Sequence, residues 1–429
     1  MPLVTICIPA YRSGPMIAAT LRSVKDQAFK DFRCVVGFDP PAADQMEFVE
    51  PFLADPRFIC HENPGRLGWD GNVRALMAAV ESPLFMVLLH DDLIHPAYLE
   101  TLVARLDADH SLSLAYTDMW LFGGNAVPAV NVMDIPETAS RTDQVMAFLL
   151  QRAEAVPWRG VARASILREH AFPVDGHGGF AAECEWTLRL LVQGPAQRVP
   201  KPLYYKRYVA SGTTTATQRW GDLALDDLIA AWNGHRTRML GMIREITEAA
   251  HAQRNLLEAA AEAALLSRLI QAVRVDRIPA AVRDAMRDHI ERGNSAVSDH
   301  LRWAGATSPL TARIESVRLM ANALWAIWED DREEALRLST EATVRDPENA
   351  EALFARARVL AGSRRHGEAL EAALAVLSIT PHRRGLVELL QSISNAMTAE
   401  AGDHAAPPAA PPAPAPAAPA PRWRRWRRR

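Results

Sequence analysis

The chain has 429 residues, 49% of them hydrophobic and 23% charged, a globular composition with material for two or three domains. Its formal net charge is −3, but six arginines fall in the last eight residues, so residues 1–421 carry −9, which argues against a nucleic-acid-binding core. The scattered cysteines, Cys7, Cys34, Cys60 and Cys184, read as reduced core thiols of a cytoplasmic protein, and the sequence predicts neither a signal peptide nor a transmembrane helix.

The first predicted strand is Leu3-Val4-Thr5-Ile6-Cys7-Ile8, stopped by Pro9 and followed by the turn Ala10-Tyr11-Arg12-Ser13-Gly14. A helical pattern through Ile17, Leu21 and Val24 leads to a second strand, Phe32 to Phe38, which ends at Asp39 before Pro40-Pro41. Another helix and a short strand, Phe58-Ile59-Cys60, precede a glycine-bearing loop from Glu62 to Asn72. Its glycines at 65, 68 and 71 permit close backbone approach. The next helix carries Val73, Leu76, Met77 and Val80. Alternating β and α elements of this length predict an α/β fold with a parallel, helix-covered sheet.

The run Leu84 to Leu89 is apolar throughout and passes through His90 into Asp91-Asp92. Such a run suits a strand buried on both faces, and open α/β sheets bind ligands at the carboxyl ends of their strands. Two adjacent acids there suit either a hard divalent cation or a solvated turn. A further strand is expected over residues 112–122, a loop from Gly123 to Arg141, a helix with Val145, Phe148 and Leu149, and helical character over Val161 to Glu169. The stretch Phe172 to Phe180 is rich in glycine. It delivers Glu183 and Glu185 to the start of an amphipathic helix with Trp186, Leu188, Leu190 and Leu191, before a strand from Leu203 to Tyr208.

Residues 221–305 are rich in Ala, Leu, Glu and Arg and predict helices. Over residues 313–398, Glu334-Ala335-Leu336 recurs as Glu368-Ala369-Leu370, Ala323 as Ala357 and Pro347 as Pro381, each 34 residues apart. That period resembles tetratricopeptide repeats, an all-α region that serves as a stabilising cap or as a docking surface for a protein partner. Residues 403–421 are almost entirely Ala and Pro, a disordered linker, and end in Arg422-Trp423-Arg424-Arg425-Trp426-Arg427-Arg428-Arg429. Arginine and tryptophan together suit an anionic membrane surface; an unspecific sticky tail or an acidic partner is the alternative.

Val4 to Tyr11, Asp39, Asn63-x-Gly65 with Asn72, Asp91-Asp92 with Pro96, Glu183 to Leu190, and Val199 to Tyr205 together resemble family 2 glycosyltransferases of the GT-A fold. The resemblance covers residues 3–215, about half the chain. It implies an inverting transferase that moves a sugar from a nucleotide-sugar donor, such as a UDP-linked one, to a glycan or glycolipid hydroxyl. Pro9, Ala10, Tyr11, Asp39 and Asp91 would bind the donor, as would Asn72, which would cap the following helix toward it. Asp39 corresponds to the family's acidic residue for the nucleotide base, with a helix or turn cap as its plainer role. Asp91 and Asp92 would hold Mn²⁺ or Mg²⁺, although Leu89 stands where the family's first aspartate is usual. Aligning Leu188-Arg189-Leu190 puts Glu183 at the catalytic-base position and Glu185 at the next acidic one, with Ala182 in place of the motif's first acid. Where relatives carry a histidine after the last strand, this chain has Tyr208 and Val209, and Lys206 or Arg207 would replace that contact.

The expected organisation is a GT-A domain over 1–215, a helical extension over 216–305, tetratricopeptide-like repeats over 306–402 and a linker with a basic tail over 403–429. The expected function is glycosyl transfer in cell-surface polysaccharide synthesis at the inner face of the cell membrane. The rival is a GT-A and repeat scaffold without turnover.

Overall fold

The computed structural model describes residues 1–41, 43–123, 129–132, 135, 140–150, 156–207, 223–246, 249–272, 280–304, 309–381, 383 and 385–404. Most of the expected loop at 123–141, Tyr208 and Val209, and the Ala/Pro linker with its basic tail from residue 405 onward lie outside the described residues.

The N-terminal part alternates as far as β4 and then adds a short strand: β1 (Val4–Ala10), α1 (Met16–Lys25), β2 (Phe32–Phe38), α2 (Ala43–Val49), β3 (Phe58–Glu62), α3 (Gly68–Ala78), β4 (Leu84–Val87), β5 (Leu93–Ile94) and α4 (Tyr98–Ala108). All seven residues of β1 are buried, as a strand covered on both faces requires. It runs parallel to β2 and β4, with Cys7 opposite Val35 on one side and Val87 on the other. Ala10 lies opposite Phe38, and the Asp39 N–H donates to the Ala10 carbonyl at 2.9 Å. The Leu88 N–H donates to the Cys7 carbonyl at 3.0 Å, so the segment after β4 continues beside the end of β1. This register brings Tyr11, Asp39 and Asp91 to the same edge of the sheet.

The sheet continues with β6 (Leu114–Phe122), β7 (Ala129–Asn131), α5 (Arg141–Leu150), β8 (Val161–Arg163), α6 (Ala182–Gln193) and β9 (Ala196–Arg207). Its order is β3-β2-β1-β4-β8-β6-β9-β5, with β7 added to β6, and β8 lies antiparallel to both β4 and β6. The helical character expected over Val161 to Glu169 is therefore corrected: a strand enters there, followed by a 3-10 turn over Ala164–Arg168. Buried Val161 and Ala162 sit between two strands whose backbone groups need partners, and that pairing outweighs local periodicity. A Cβ at Gly160 would come within 2.3 Å of the Ala115 carbonyl, so no side chain fits at the entrance to β8.

Beyond the sheet come α7 (Leu225–Arg244), α8 (His251–Ala272), α9 (Ala280–Ala304), α10 (Pro309–Trp328), α11 (Arg332–Arg345), α12 (Ala350–Gly362), α13 (His366–Ile379) and α14 (Leu386–His404). Buried alanines at 259, 260, 261 and 263 let α8 approach its neighbours α5, α7, α9 and α10 closely. One continuous hydrophobic core runs from the sheet into α7, α8 and α10. The 34-residue period is visible in the backbone. Helices α10 and α12 end at Trp328 and Gly362, left-handed turns follow at Asp330 (φ 58°) and Arg364 (φ 59°), and α11 and α13 start at Arg332 and His366. Among the described residues no helix is long and apolar enough to cross a membrane.

Candidate active site

The site is built where β1, β2 and β4 end. Asp39, buried at the end of β2, accepts from the Leu67 N–H at 3.1 Å, the Gly68 N–H at 2.8 Å and the Asn63 amide at 2.9 Å. Its carboxylate thus takes a free N–H at the start of α3 and holds the loop before it. Asn72, expected to cap that helix, instead lies inside it. Its amide donates to the Gly37 carbonyl at 2.8 Å, while its Oδ1 is buried without a hydrogen-bond partner. The correction follows from Asp39, which supplies the cap from another strand. Pro9 and Ala10 face the site with carbonyls already engaged: the Pro9 oxygen lies 3.1 Å from His90 Nδ1, and that of Ala10 accepts from Asp39. The Tyr11 ring lies beneath two guanidinium groups, with Arg66 at 4.4 Å and Arg12 at 5.2 Å from its centroid.

The adjacent aspartates separate into two roles. Asp92 is only 1% exposed; its Oδ2 accepts from the Tyr204 hydroxyl at 2.7 Å and its Oδ1 from the Arg207 N–H at 2.9 Å. The Arg159 Nε is 3.8 Å from the same Oδ2. Burial, and then the charge of Asp91, raise the Asp92 carboxyl to about 6, against the lowering effect of Arg159 and the two hydrogen bonds. The Asp91 side chain is half-buried, and of its polar atoms only the backbone carbonyl takes a hydrogen bond within the described residues, from Arg207 Nε at 3.0 Å. The Thr20 hydroxyl of α1 lies 2.8 Å from the carbonyls of both His90 and Asp92, fixing the turn between the two strands.

The two glutamates separate as well. Glu183 opens α6 beside this site. Burial raises its carboxyl above the ordinary range, while its own N–H and the charges of Arg159, Arg268 and Lys206 pull it back. Glu185 is 2% exposed and faces the helical region, bonded to His235 Nδ1 at 2.6 Å and to Arg238 Nε at 2.6 Å and Nη2 at 2.9 Å. A proton acceptor near the reacting atoms needs a carboxyl not already committed to cations, and Glu183 meets that condition better.

Arg159 and an aromatic cluster, to which the sequence assigned no part in the site, border it. Arg159 is a buried cation whose field reaches both Asp92 and Glu183. Trp69, Trp158, Phe172 and Trp186 form an aromatic cluster, with successive ring centroids at 6.4, 6.1 and 5.8 Å. The Trp69 indole donates to the Gly178 carbonyl at 2.7 Å, and Asp175 accepts from the N–H groups of His177, Gly179 and Phe180 at 2.8–2.9 Å. These contacts order the glycine-rich approach to α6. The Pro157-Trp158-Arg159-Gly160 segment offered a signal, a tryptophan and an arginine just before a buried strand.

Among the described residues no cluster of three or more His, Cys, Asp or Glu side chains could hold a metal ion. Asp92 is buried with a protein donor on each oxygen, whereas the half-buried Asp91 side chain takes none among the described residues, so Asp91 is the more accessible of the two to a cation. That suits an ion whose remaining ligands come from a bound diphosphate and water.

Residues 5–119 match the family model of glycosyl transferase family 2. An uncharacterized protein of Mycobacterium tuberculosis (strain CDC 1551 / Oshkosh) is 26% identical over 235 residues, 51% of this chain and 72% of that protein. Among solved structures, S. aureus TarS in complex with UDP-GlcNAc superposes with a TM-score of 0.55 at 15% identity, covering 80% of this chain and 92% of that one. TarS in complex with UDP gives a TM-score of 0.53, with 80% and 91% covered. The mostly parallel sheet and the strand-end position of the site agree with these likenesses: the fold is a GT-A sheet like that of TarS followed by a helical region, and within it residues 5–119 are similar to glycosyl transferase family 2.

Proposed function

We propose that this protein is an inverting glycosyltransferase that moves a sugar from a nucleotide-sugar donor to a glycan or glycolipid hydroxyl in cell-surface polysaccharide synthesis. The observation that carries the reading is that Glu183 and Asp92, the latter adjacent to Asp91, share the buried Arg159 at the carboxyl end of the sheet. TarS, which shares the fold, has been captured with UDP-GlcNAc and with UDP, which supports a UDP-linked donor here.

In this reading Tyr11, Arg12 and Arg66 receive the nucleotide end of the donor. Arg207 and Lys206 bring positive charge to the diphosphate, in the place where relatives carry a histidine. Glu183 takes the acceptor hydroxyl's proton as that oxygen attacks the anomeric carbon opposite the leaving diphosphate; a carboxyl raised by burial is a stronger base for that step. Asp91 would hold Mn²⁺ or Mg²⁺ together with the donor, and the ion when bound supplies Lewis-acid stabilisation to the departing nucleotide. Asp92 acts from behind, holding Tyr204, Arg207 and the turn.

We assign residues 1–215 to the transferase unit, 216–305 to a helical extension, 306–402 to tetratricopeptide-like repeats that offer a protein-docking surface, and 403–429 to a linker whose arginines and tryptophans hold the enzyme peripherally on the inner face of the cell membrane. One observation favours a second reading, a scaffold without turnover: Leu89 stands at the usual place of an aspartate and Asp92 is buried with a protein donor on each oxygen, which leaves Asp91 the more accessible carboxylate to a cation. Incubation with UDP-GlcNAc, UDP-glucose, UDP-galactose and GDP-mannose, with and without Mn²⁺, separates the two. Metal-stimulated nucleotide release supports the enzyme; no release and no donor binding by calorimetry support the scaffold. Glu183→Gln is expected to keep donor binding and lose transfer by roughly 10²-fold or more.

A further inference from the structure

The first turn of α6 is approached through backbone rich in left-handed conformations, which Asp175 and Trp69 order as far as Phe180. Gly176, Gly178, Gly179 and Ala181 all have positive φ, at 76°, 83°, 72° and 50°. The orientation of that turn itself is set from the helical region. Glu185 receives His235 and Arg238 from α7, and the other ring nitrogen of His235, Nε2, lies 3.3 Å from an Arg268 Nη of α8. A guanidinium only donates, so Nε2 is the acceptor and the imidazole proton sits on Nδ1, directed at Glu185. His235 is fully buried, and burial lowers its pKa, in keeping with the neutral ring. The Phe180 ring meets His235 edge-on at 5.7 Å, and one turn along α6, Arg189 makes a two-pronged pair with Glu245. Arg268 also lies 6.0 Å from the Phe148 ring of α5, so the chain of contacts is anchored at both ends.

We propose that the helical region completes the catalytic apparatus: Arg268, His235 and Arg238, acting through Glu185, are positioning residues that fix the first turn of α6 and with it Glu183. The proposal rests on the reading of Glu183 as the base. Its physical content is that a buried carboxylate with a matched set of donors tolerates one geometry, whereas a loop with four left-handed residues tolerates several. The charged groups acting on Glu183 are Arg159 from the turn before β8, Arg268 from α8 and Lys206 from β9; Glu185, two residues along α6, is held by His235 and Arg238 of α7, and Asp175 acts on Arg238 in turn. Removing Arg238 loosens the first turn of α6, and Glu183, held less closely to Arg159, Arg268 and Lys206, loses part of what favours its ionisation.

The test uses the full-length protein with Arg238→Met and Arg238→Lys; the side chain is 38% exposed, so both variants should fold. With the donor of the above four that wild type turns over best, Arg238→Met should move the acidic limb of the kcat/KM profile upward by about half a pH unit or more. It should lower kcat by about 10-fold at unchanged donor KM, and the lysine variant should restore both. Hydrogen exchange of amides 180–187 should quicken by about 10-fold in the methionine variant while Val4–Ala10 stays protected. A wild-type pH limb together with wild-type exchange over 180–187 overturns the proposal. If wild type releases no nucleotide from any donor, the reading of Glu183 falls separately, and the exchange result alone decides whether the helical region holds α6.

Discussion

Replacing each member of the Asp91-Asp92 pair in turn should give opposite kinds of damage. Asp92→Ala removes the acceptor of the Tyr204 hydroxyl and of the Arg207 N–H, and a carboxylate 3.8 Å from Arg159 Nε. Each buried donor left without a partner costs about 1–3 kcal/mol, and breaking a buried ion pair from one side costs about 3–5 kcal/mol. The desolvation that raises the Asp92 carboxyl to about 6 is relieved at the same time, so these terms do not add fully. We expect a net loss of about 4 kcal/mol, or on the order of 10 °C in the melting temperature. Asp91→Ala breaks no side-chain hydrogen bond within the described residues and should change stability by about 0.5 kcal/mol or less, while weakening Mn²⁺-dependent nucleotide binding. Thermal unfolding at pH 8, where Asp92 is ionised, and calorimetric titration of UDP with and without Mn²⁺ read the two effects apart. Equal melting temperatures for the two variants, or Asp92→Ala within about 1 °C of wild type, would refute the assignment of Asp92 to the framework.

The raised Asp92 carboxyl has a signed consequence for pH. The folded state holds that proton more tightly than the unfolded chain, so the stabilisation is present below about pH 4 and is lost as pH rises through about 6. The melting temperature of wild type minus that of Asp92→Asn should therefore fall over that window; a flat difference would sink this point. Gly179→Ala should destabilise by about 1–3 kcal/mol, because φ is +72° and a Cβ would sit 2.8 Å from the Trp69 ring and Asp70 Cβ; chemical denaturation measures it, and a wild-type midpoint contradicts the packing described. Deleting residues 422–429 should release the protein from phosphatidylserine-containing vesicles in a sedimentation assay, since each basic residue near such a surface contributes about 1 kcal/mol. Retention of the deleted protein on the vesicles would remove the membrane role.

Much of this molecule is written in local pattern. The buried strand at Val4–Ala10, the alternation through β4, the apolar run into Asp91-Asp92 and the 34-residue period of the helices all follow from periodic burial, which a chain displays one residue at a time. The same pattern misassigned Val161 to Glu169, where short buried residues pair with strands brought from elsewhere. It also placed Asn72 at a helix start that Asp39 caps from another strand.

The class of fold and the segments that reach the site are legible in local pattern, because hydrophobic period and turn chemistry are properties of neighbouring residues. Which partners each acid takes is set by the fold. Asp91 and Asp92 are identical in kind and adjacent in sequence, yet Tyr204 and Arg207, more than a hundred residues on, choose one of them. Glu183 and Glu185 share one helical turn, yet His235 and Arg238, 50 and 53 residues away, take only the second. A charged side chain shows in sequence that it needs a partner, and the fold supplies the identity of that partner.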